Sequence, residues 1–175
     1  QRKKNVQMHI QDGRTFTRWS KNNYDVITLE PMSPIQAGTV NLYSREFYQL
    51  AANRLNENGI MMQWLPLHLV GKDDAKSILK TFQKVFPHTS IWNSFLTRIV
   101  LLVGSKEKIA LDKIRFEELM RLPNIKITAQ QIGINSFLDF TDFFLTNTNN
   151  VDSFIQNADL ITDDRPLLEF SPVAF

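Results

Sequence analysis

Three short stretches of this chain carry groups that could take part in a reaction: Asp12-Gly13, Glu30-Pro31-Met32-Ser33-Pro34 and Gln63-Trp64. Glu30 is the most telling of them. It closes an apolar run, Tyr24-Asp25-Val26-Ile27-Thr28-Leu29, and a carboxylate at the edge of an apolar layer is costly unless it is paired or used. A carboxylate so placed can accept a proton or hold a cationic amine. Asp12 beside Gly13 reads either as an ordinary turn or as a binding acid. Gln63 reads either as a partner for loop backbone groups or as a contact at the same rim. Asp73-Asp74 stands at a helix start, where carboxylates favour the positive end of the dipole, and capping accounts for it.

Other chemistry is not encoded. No G-x-G-x-x-G or G-x-x-x-x-G-K-[ST] loop is present to cradle a phosphate, and no G-x-S-x-G elbow to present a serine. His9, His68 and His88 lack metal-ligand spacing. His68 lies nearest the proposed rim, but a lone histidine is more often structural. With no cysteine in the chain, disulfides and thiolate chemistry are excluded.

These groups need a scaffold. Val6, Met8 and Ile10 alternate with polar residues, which predicts a strand ending at Asp12-Gly13. Residues 24–29 predict a second strand and residues 60–65 a third. Between them, Phe47, Leu50, Ala51 and Leu55 keep helical spacing, with Ser44 as cap and Gly59 as terminator. Ala75, Ile78, Leu79, Phe82 and Val85 mark another helix, ended by Pro87. Residues 89–92 and 98–103 read as two strands too close for a helical crossover, hence antiparallel neighbours. Apolar strands alternating with helices give an α/β class with a mostly parallel sheet. In such sheets ligands bind beyond the carboxyl ends of the strands, which would bring residues 12, 30 and 63 to one rim. After residue 108 the pattern turns helical, near 112–121, 136–146 and 150–157, with Ser136 and Asp139 spaced as a capping box. The expected division is residues 1–108 as an α/β domain and 109–175 as a helical C-terminal extension packed on it.

The 175 residues are 43% hydrophobic and 22% charged, a globular composition that suits one domain. The run Ile99–Val103 is far short of the ~20 residues that cross a bilayer, so no membrane contact by this segment is expected. Net charge is +2, too small to imply nucleic acid. The charge is lopsided, however. Arg2, Lys3, Lys4, Arg14, Arg18 and Lys21 crowd the first 24 residues beside the single acid Asp12. Asp139, Asp142, Asp152, Asp159, Asp163, Asp164 and Glu169 face only Arg165 in the last stretch. A phosphate or partner surface is one reading of the basic end, and solvated faces with attraction between the two ends is the other. A start at Gln1 with no apolar signal segment points to a cut chain or a piece of a longer one.

The ordered block Asp12-Gly13-Arg14, Tyr24-Asp25-Val26-Ile27, Glu30-Pro31-x-Ser33-Pro34, Leu42-Tyr43-Ser44-Arg45-Glu46-Phe47-Tyr48, Gly59 and Gln63-Trp64 resembles spermidine synthases, the polyamine aminopropyltransferases. With the tail Thr162-Asp163-Asp164-Arg165-Pro166-Leu167-Leu168-Glu169-Phe170, it is most similar to spermidine-synthase-like domains of larger bacterial proteins, some fused to membrane segments. The resemblance implies a partial Rossmann-like fold of the S-adenosylmethionine-dependent methyltransferase type. It implies that Asp12, beside Gly13, contacts the adenine of the nucleoside. Glu30 falls on the catalytic acid and Ser33 on a second family acid, making Ser33 and Gln63 substrate-side positions. The implied cofactor is decarboxylated S-adenosylmethionine, or S-adenosylmethionine itself, without a metal. The implied partner is a small amine, in a cytoplasmic setting, with a homo-oligomer left open.

Two departures qualify this. Ser33 cannot supply the family's second charge. The family's glycine-rich cofactor loop and ribose-binding acid would precede residue 1, leaving residues 5–11 as an orphan edge strand. Three readings follow: an aminopropyltransferase fragment that is inactive alone, a methyltransferase on the same scaffold, and a degenerate interaction module without catalysis.

Overall fold

A computed structural model of the chain describes residues 5–31, 34, 36 and 38–171. The elements are α1 (Gly13–Trp19), β1 (Tyr24–Leu29), α2 (Arg45–Ala52), β2 (Leu55–Pro66), α3 (Lys72–Val85), β3 (His88–Asn93), β4 (Ile99–Ser105), α4 (Lys113–Met120), α5 (Pro123–Gln131), α6 (Phe137–Thr141), β5 (Phe144–Asn147) and α7 (Thr148–Ile155). Short 3-10 turns at Thr39–Leu42 and Leu167–Phe170 complete them. The strands form one sheet in the order β1-β2-β4-β3-β5. This is the expected mixed α/β class with flanking helices.

Parallel pairing is confined to β1 and β2, with Leu29 opposite Gln63. The other three junctions are antiparallel, so the sheet is less parallel than the strand–helix alternation predicts. Among sheet neighbours, only β1 and β2 are joined by a helical crossover, α2. The helix α3 instead leads to β3, which pairs not with β2 but with β4, and β4 inserts between them running the other way.

One face of the sheet makes the core. Along β2 the residues alternate, and Gly59, Met61, Gln63 and Leu65 point inward. Against them lie Phe47, Tyr48, Ala51 and Ala52 of α2 and Ile78, Leu79 and Phe82 of α3. Ser44 caps α2 as expected, its Oγ accepting from the Phe47 amide at 3.3 Å. Asp73 and Asp74 occupy the first turn of α3. Each large aliphatic or aromatic side chain buried here contributes about 1.5–3 kcal/mol. The rings interlock edge to face, with Tyr48 and Phe82 at 5.1 Å and 83°. Gly104 of β4 permits that closeness, since a Cβ there would sit 2.5 Å from Phe82 and 2.6 Å from Phe86. Gly59 does not end α2, which stops at Ala52. It lies within β2, where a Cβ would fall 2.9 Å from the Tyr24 carbonyl, so its role is the close approach of β1.

The expected strand at residues 6–10 does not form. Val6, Met8 and Ile10 are 62%, 85% and 96% exposed and the segment is irregular. Alternation makes a strand only where a sheet face and a neighbouring edge receive it, and neither reaches this segment. Instead Asp12 starts α1, its side chain accepting from the Thr15 amide at 2.7 Å. The helix expected over 136–146 is also cut short. Its capping box forms, but the chain leaves helix after Thr141 and β5 pairs with β3. There Trp92 stacks on Phe140 and meets Phe144 edge-on, both at 5.3 Å. Closing the exposed edge of β3 outweighs the local helix preference. Residues 109–171 therefore contribute a strand and, through Val151, Ile155, Ile161 and Leu168, part of the core.

Candidate functional site

The carboxyl end of β1 lies against β2 at Gln63, shortly before that strand ends at Pro66, because Leu29 pairs with Gln63. Glu30 follows Leu29 directly and is exposed, so a carboxylate stands at the one parallel junction of the sheet. Among the described residues it makes no hydrogen bond or ion pair. Ser33 lies outside the described residues.

Gln63 shares this level but not this exposure. Its side chain is wholly buried, and among the described residues neither Nε2 nor Oε1 has a hydrogen-bond partner. The hydroxyls of Tyr43 and Tyr48 are buried beside it, also without a partner among the described residues. Burial pushes both phenols well up, and the nearby Gln63 amide offsets only part of the rise. The three groups are thus close neighbours without a bond of ordinary geometry, and their four polar atoms remain desolvated. The expected rim contact at Gln63 is instead a polar island under the rim, held by α2, the Thr39–Leu42 turn and β2.

Asp12 stands at the start of α1 and is exposed. The bond from Thr15 holds its carboxyl below the usual carboxylate range, so it is ionised at neutral pH. Gly13 opens the helix, with nothing within 4 Å of where a Cβ would stand. Asp12 and Glu30 reach their places from different elements, one from a surface helix and one from the sheet.

A cluster that residue spacing could not reveal joins these elements. Arg14 Nη1 donates to Asp163 Oδ1 at 2.9 Å and to the Asn41 carbonyl at 3.0 Å, and Nη2 pairs with Asp163 Oδ2. The Asp163 amide donates to Glu46 Oε2 at 3.0 Å, and the Arg45 amide to the Ile161 carbonyl at 2.9 Å. The Gly38 amide donates to Glu169 Oε1 at 2.9 Å. The C-terminal tail thus straps the Asp-Gly-Arg motif to the start of α2. Opposite charge at the two chain ends was its only signal in the sequence, and attraction between the ends is what the structure uses it for.

On the reverse face of the sheet, Met62, Trp92, Leu101, Val103, Phe140 and Phe143 help line an almost wholly apolar cavity of about 300 Å³. It offers no group for acid–base work. Among the described residues, no helix is long and apolar enough to cross a membrane.

Residues 1–104 match the family described as "Spermine/spermidine synthase domain". The polyamine aminopropyltransferase of Thermotoga petrophila is 31% identical over 90 residues, covering 50% of this chain and 30% of that protein. The spermidine synthase structure from Thermotoga maritima superposes with a TM-score of 0.60 at 20% identity, over 84% of this chain and 48% of that one. A spermidine synthase solved in complex with the transition-state analogue AdoDATO gives 0.58 at 20% identity, with the same coverage. The chain therefore spans between about a third and a half of the length of these relatives.

Proposed function

The chain belongs to the spermine/spermidine synthase family, and from that premise we propose that it is the C-terminal part of an aminopropyltransferase domain whose acid is Glu30. The supporting observation is positional. Glu30 is the exposed carboxylate that follows β1 at its parallel junction with β2, within the segment that matches the family.

In the proposed reaction an amine nitrogen attacks the propyl carbon next to the sulfonium of decarboxylated S-adenosylmethionine. A C–N bond forms, the C–S bond breaks, and the sulfur leaves as a neutral thioether, methylthioadenosine. The attacking nitrogen must shed a proton, and Glu30 receives it, its negative charge also drawing the cationic amine to the rim. Asp12 contacts the adenine, with Gly13 leaving room for it. Ser33 lines the amine side without charge, so the acceptor is held by fewer charges than two acids would supply. Gln63 supports the rim from beneath. Residues 1–108 form the transferase part and 109–175 its C-terminal extension, in a cytoplasmic setting.

Transfer of a methyl group from intact S-adenosylmethionine is the alternative on this scaffold. A competition assay between S-adenosylmethionine and its decarboxylated form, in the complete domain this reading calls for, tests the proposal. Preferential consumption of the decarboxylated form, with methylthioadenosine as product, is expected. Preferential consumption of S-adenosylmethionine, with methylation of the acceptor, would overturn it.

A further inference from the structure

Helix α1 buries none of its residues. At seven residues it is also too short to persist by itself. Its attachment to the body is polar and made at both ends. At the C-terminal end, Arg54 donates to the carbonyls of Thr17 at 3.1 Å and Arg18 at 3.0 Å, and the Ser20 and Tyr24 hydroxyls meet at 2.8 Å. At the N-terminal end the attachment is Arg14, two residues from Asp12, held by Asp163 and the Asn41 carbonyl.

The tail side of this contact is the firm one. Ile161 is fully buried, its amide donating to Thr81 Oγ1 at 2.9 Å and its carbonyl accepting from Arg45. Thr162 and Arg165 exchange backbone hydrogen bonds at 3.1 and 3.3 Å, closing a turn that contains Asp163. The Asp163 amide is fixed by Glu46. The carboxylate is therefore presented from the core, and the guanidinium reaches to it from a helix that has no core of its own. A two-point guanidinium–carboxylate contact fixes orientation as well as distance.

We propose that Asp163 is a positioning residue for Asp12: through Arg14 it sets the start of α1 and hence where the Asp12 carboxylate stands. The proposal rests on the reading of Asp12 as the adenine contact, and it assigns the acidic tail a part in nucleoside recognition without touching the nucleoside.

The test compares Asp163→Asn with Asp164→Asn in the 175-residue chain. Asp164 bonds to Thr162 Oγ1 and not to Arg14, so it serves as the control. Amide hydrogen exchange in α1, including the Thr15 amide bonded to Asp12, is expected to quicken about tenfold in Asp163→Asn only, with α2 and α3 unchanged. Arg14→Lys keeps the charge but loses the two-point geometry, and it should loosen α1 in the same selective way. Unchanged exchange in α1, or equal quickening throughout the fold in both variants, would overturn the proposal.

Titration of the complete domain with methylthioadenosine separates this from the reading of Asp12. The nucleoside is uncharged, so a fall in its affinity between about 0.05 and 0.5 M salt reports screening of the clasp. That fall should be absent in Asp163→Asn, whose affinity is already weakened severalfold. If the unaltered complete domain binds no nucleoside, the reading of Asp12 fails, while the exchange data still decide the clasp. Nucleoside affinity and salt dependence left intact in Asp163→Asn would overturn the positioning role.

Discussion

Leu29 and Gln63 sit opposite each other across the parallel junction of the sheet, and both turn toward the layer made by α2 and α3. Leu29 packs on the core, and Gln63 meets Tyr43 and Tyr48 within it. The register that makes Glu30 the first residue beyond β1 also places, beneath that point, an amide with no partner among the described residues. Rim and polar island are therefore one construction, and a change in either tests how far the two depend on each other.

The amide of Gln63 is expected to cost stability. A buried amide without a partner loses about 1–3 kcal/mol relative to a satisfied one. Gln63→Met, close in volume, should therefore raise the thermal midpoint, by a gain of about 1 kcal/mol. A loss of similar size in a denaturation series would instead show that the amide is satisfied, by water shared with the two phenols.

Gly104 tests the packing of α3 on the sheet. An alanine Cβ would press on Phe82 and on the Phe86 Cβ, and the latter cannot move without the backbone. Gly104→Ala should destabilise by about 1–3 kcal/mol. Gly13→Ala, where space is open, should be close to neutral. Equal midpoints for the two variants in urea would show that the ring stack is looser than described.

The ion pair of Arg14 and Asp163 carries a pH signature. Hydrogen bonding to Arg14 holds the Asp163 carboxyl below its ordinary range. A depressed folded pKa gives stability that is fully present above the unfolded value of about 3.9 and lost as pH falls through the folded value. The Asp163 side chain is 41% exposed, so solvent screening limits the contribution to about 1 kcal/mol. Thermal melts of the chain and of Asp163→Asn should thus run parallel from pH 7 to 5 and converge below about pH 4. A constant gap down to pH 2.5 would remove the pair from the account.

Much of the scaffold was legible in the sequence, and the reasons are local. Ser44 and the buried face of α2, the helix before Pro87, and the antiparallel closeness of β3 and β4 all follow from spacing within a few residues. The exposed carboxylate after β1 was found because Glu30 interrupts an apolar run. What could not be read depends on distant partners. Residues 6–10 alternate correctly but have no edge to join. Phe144–Asn147 becomes a strand because β3 offers an edge, not because its residues demand it. Tyr43, Tyr48 and Gln63 meet through three separate elements, and Arg14 finds Asp163 across most of the chain. Gln63 was singled out for the right level of the sheet, but whether a residue near a strand end faces the rim or the core depends on a register fixed by β1.

The most direct measurement of the central proposal is the single-turnover rate of aminopropyl transfer by Glu30→Gln in the complete domain, taken with its affinity for methylthioadenosine. The carboxamide keeps the shape but cannot take the amine's proton. The rate should fall at least about a hundredfold, the lower end for a lost general base, while nucleoside affinity is retained. Transfer at the unaltered rate would show that the proton leaves by another route and that Glu30 is a bystander at the sheet's edge.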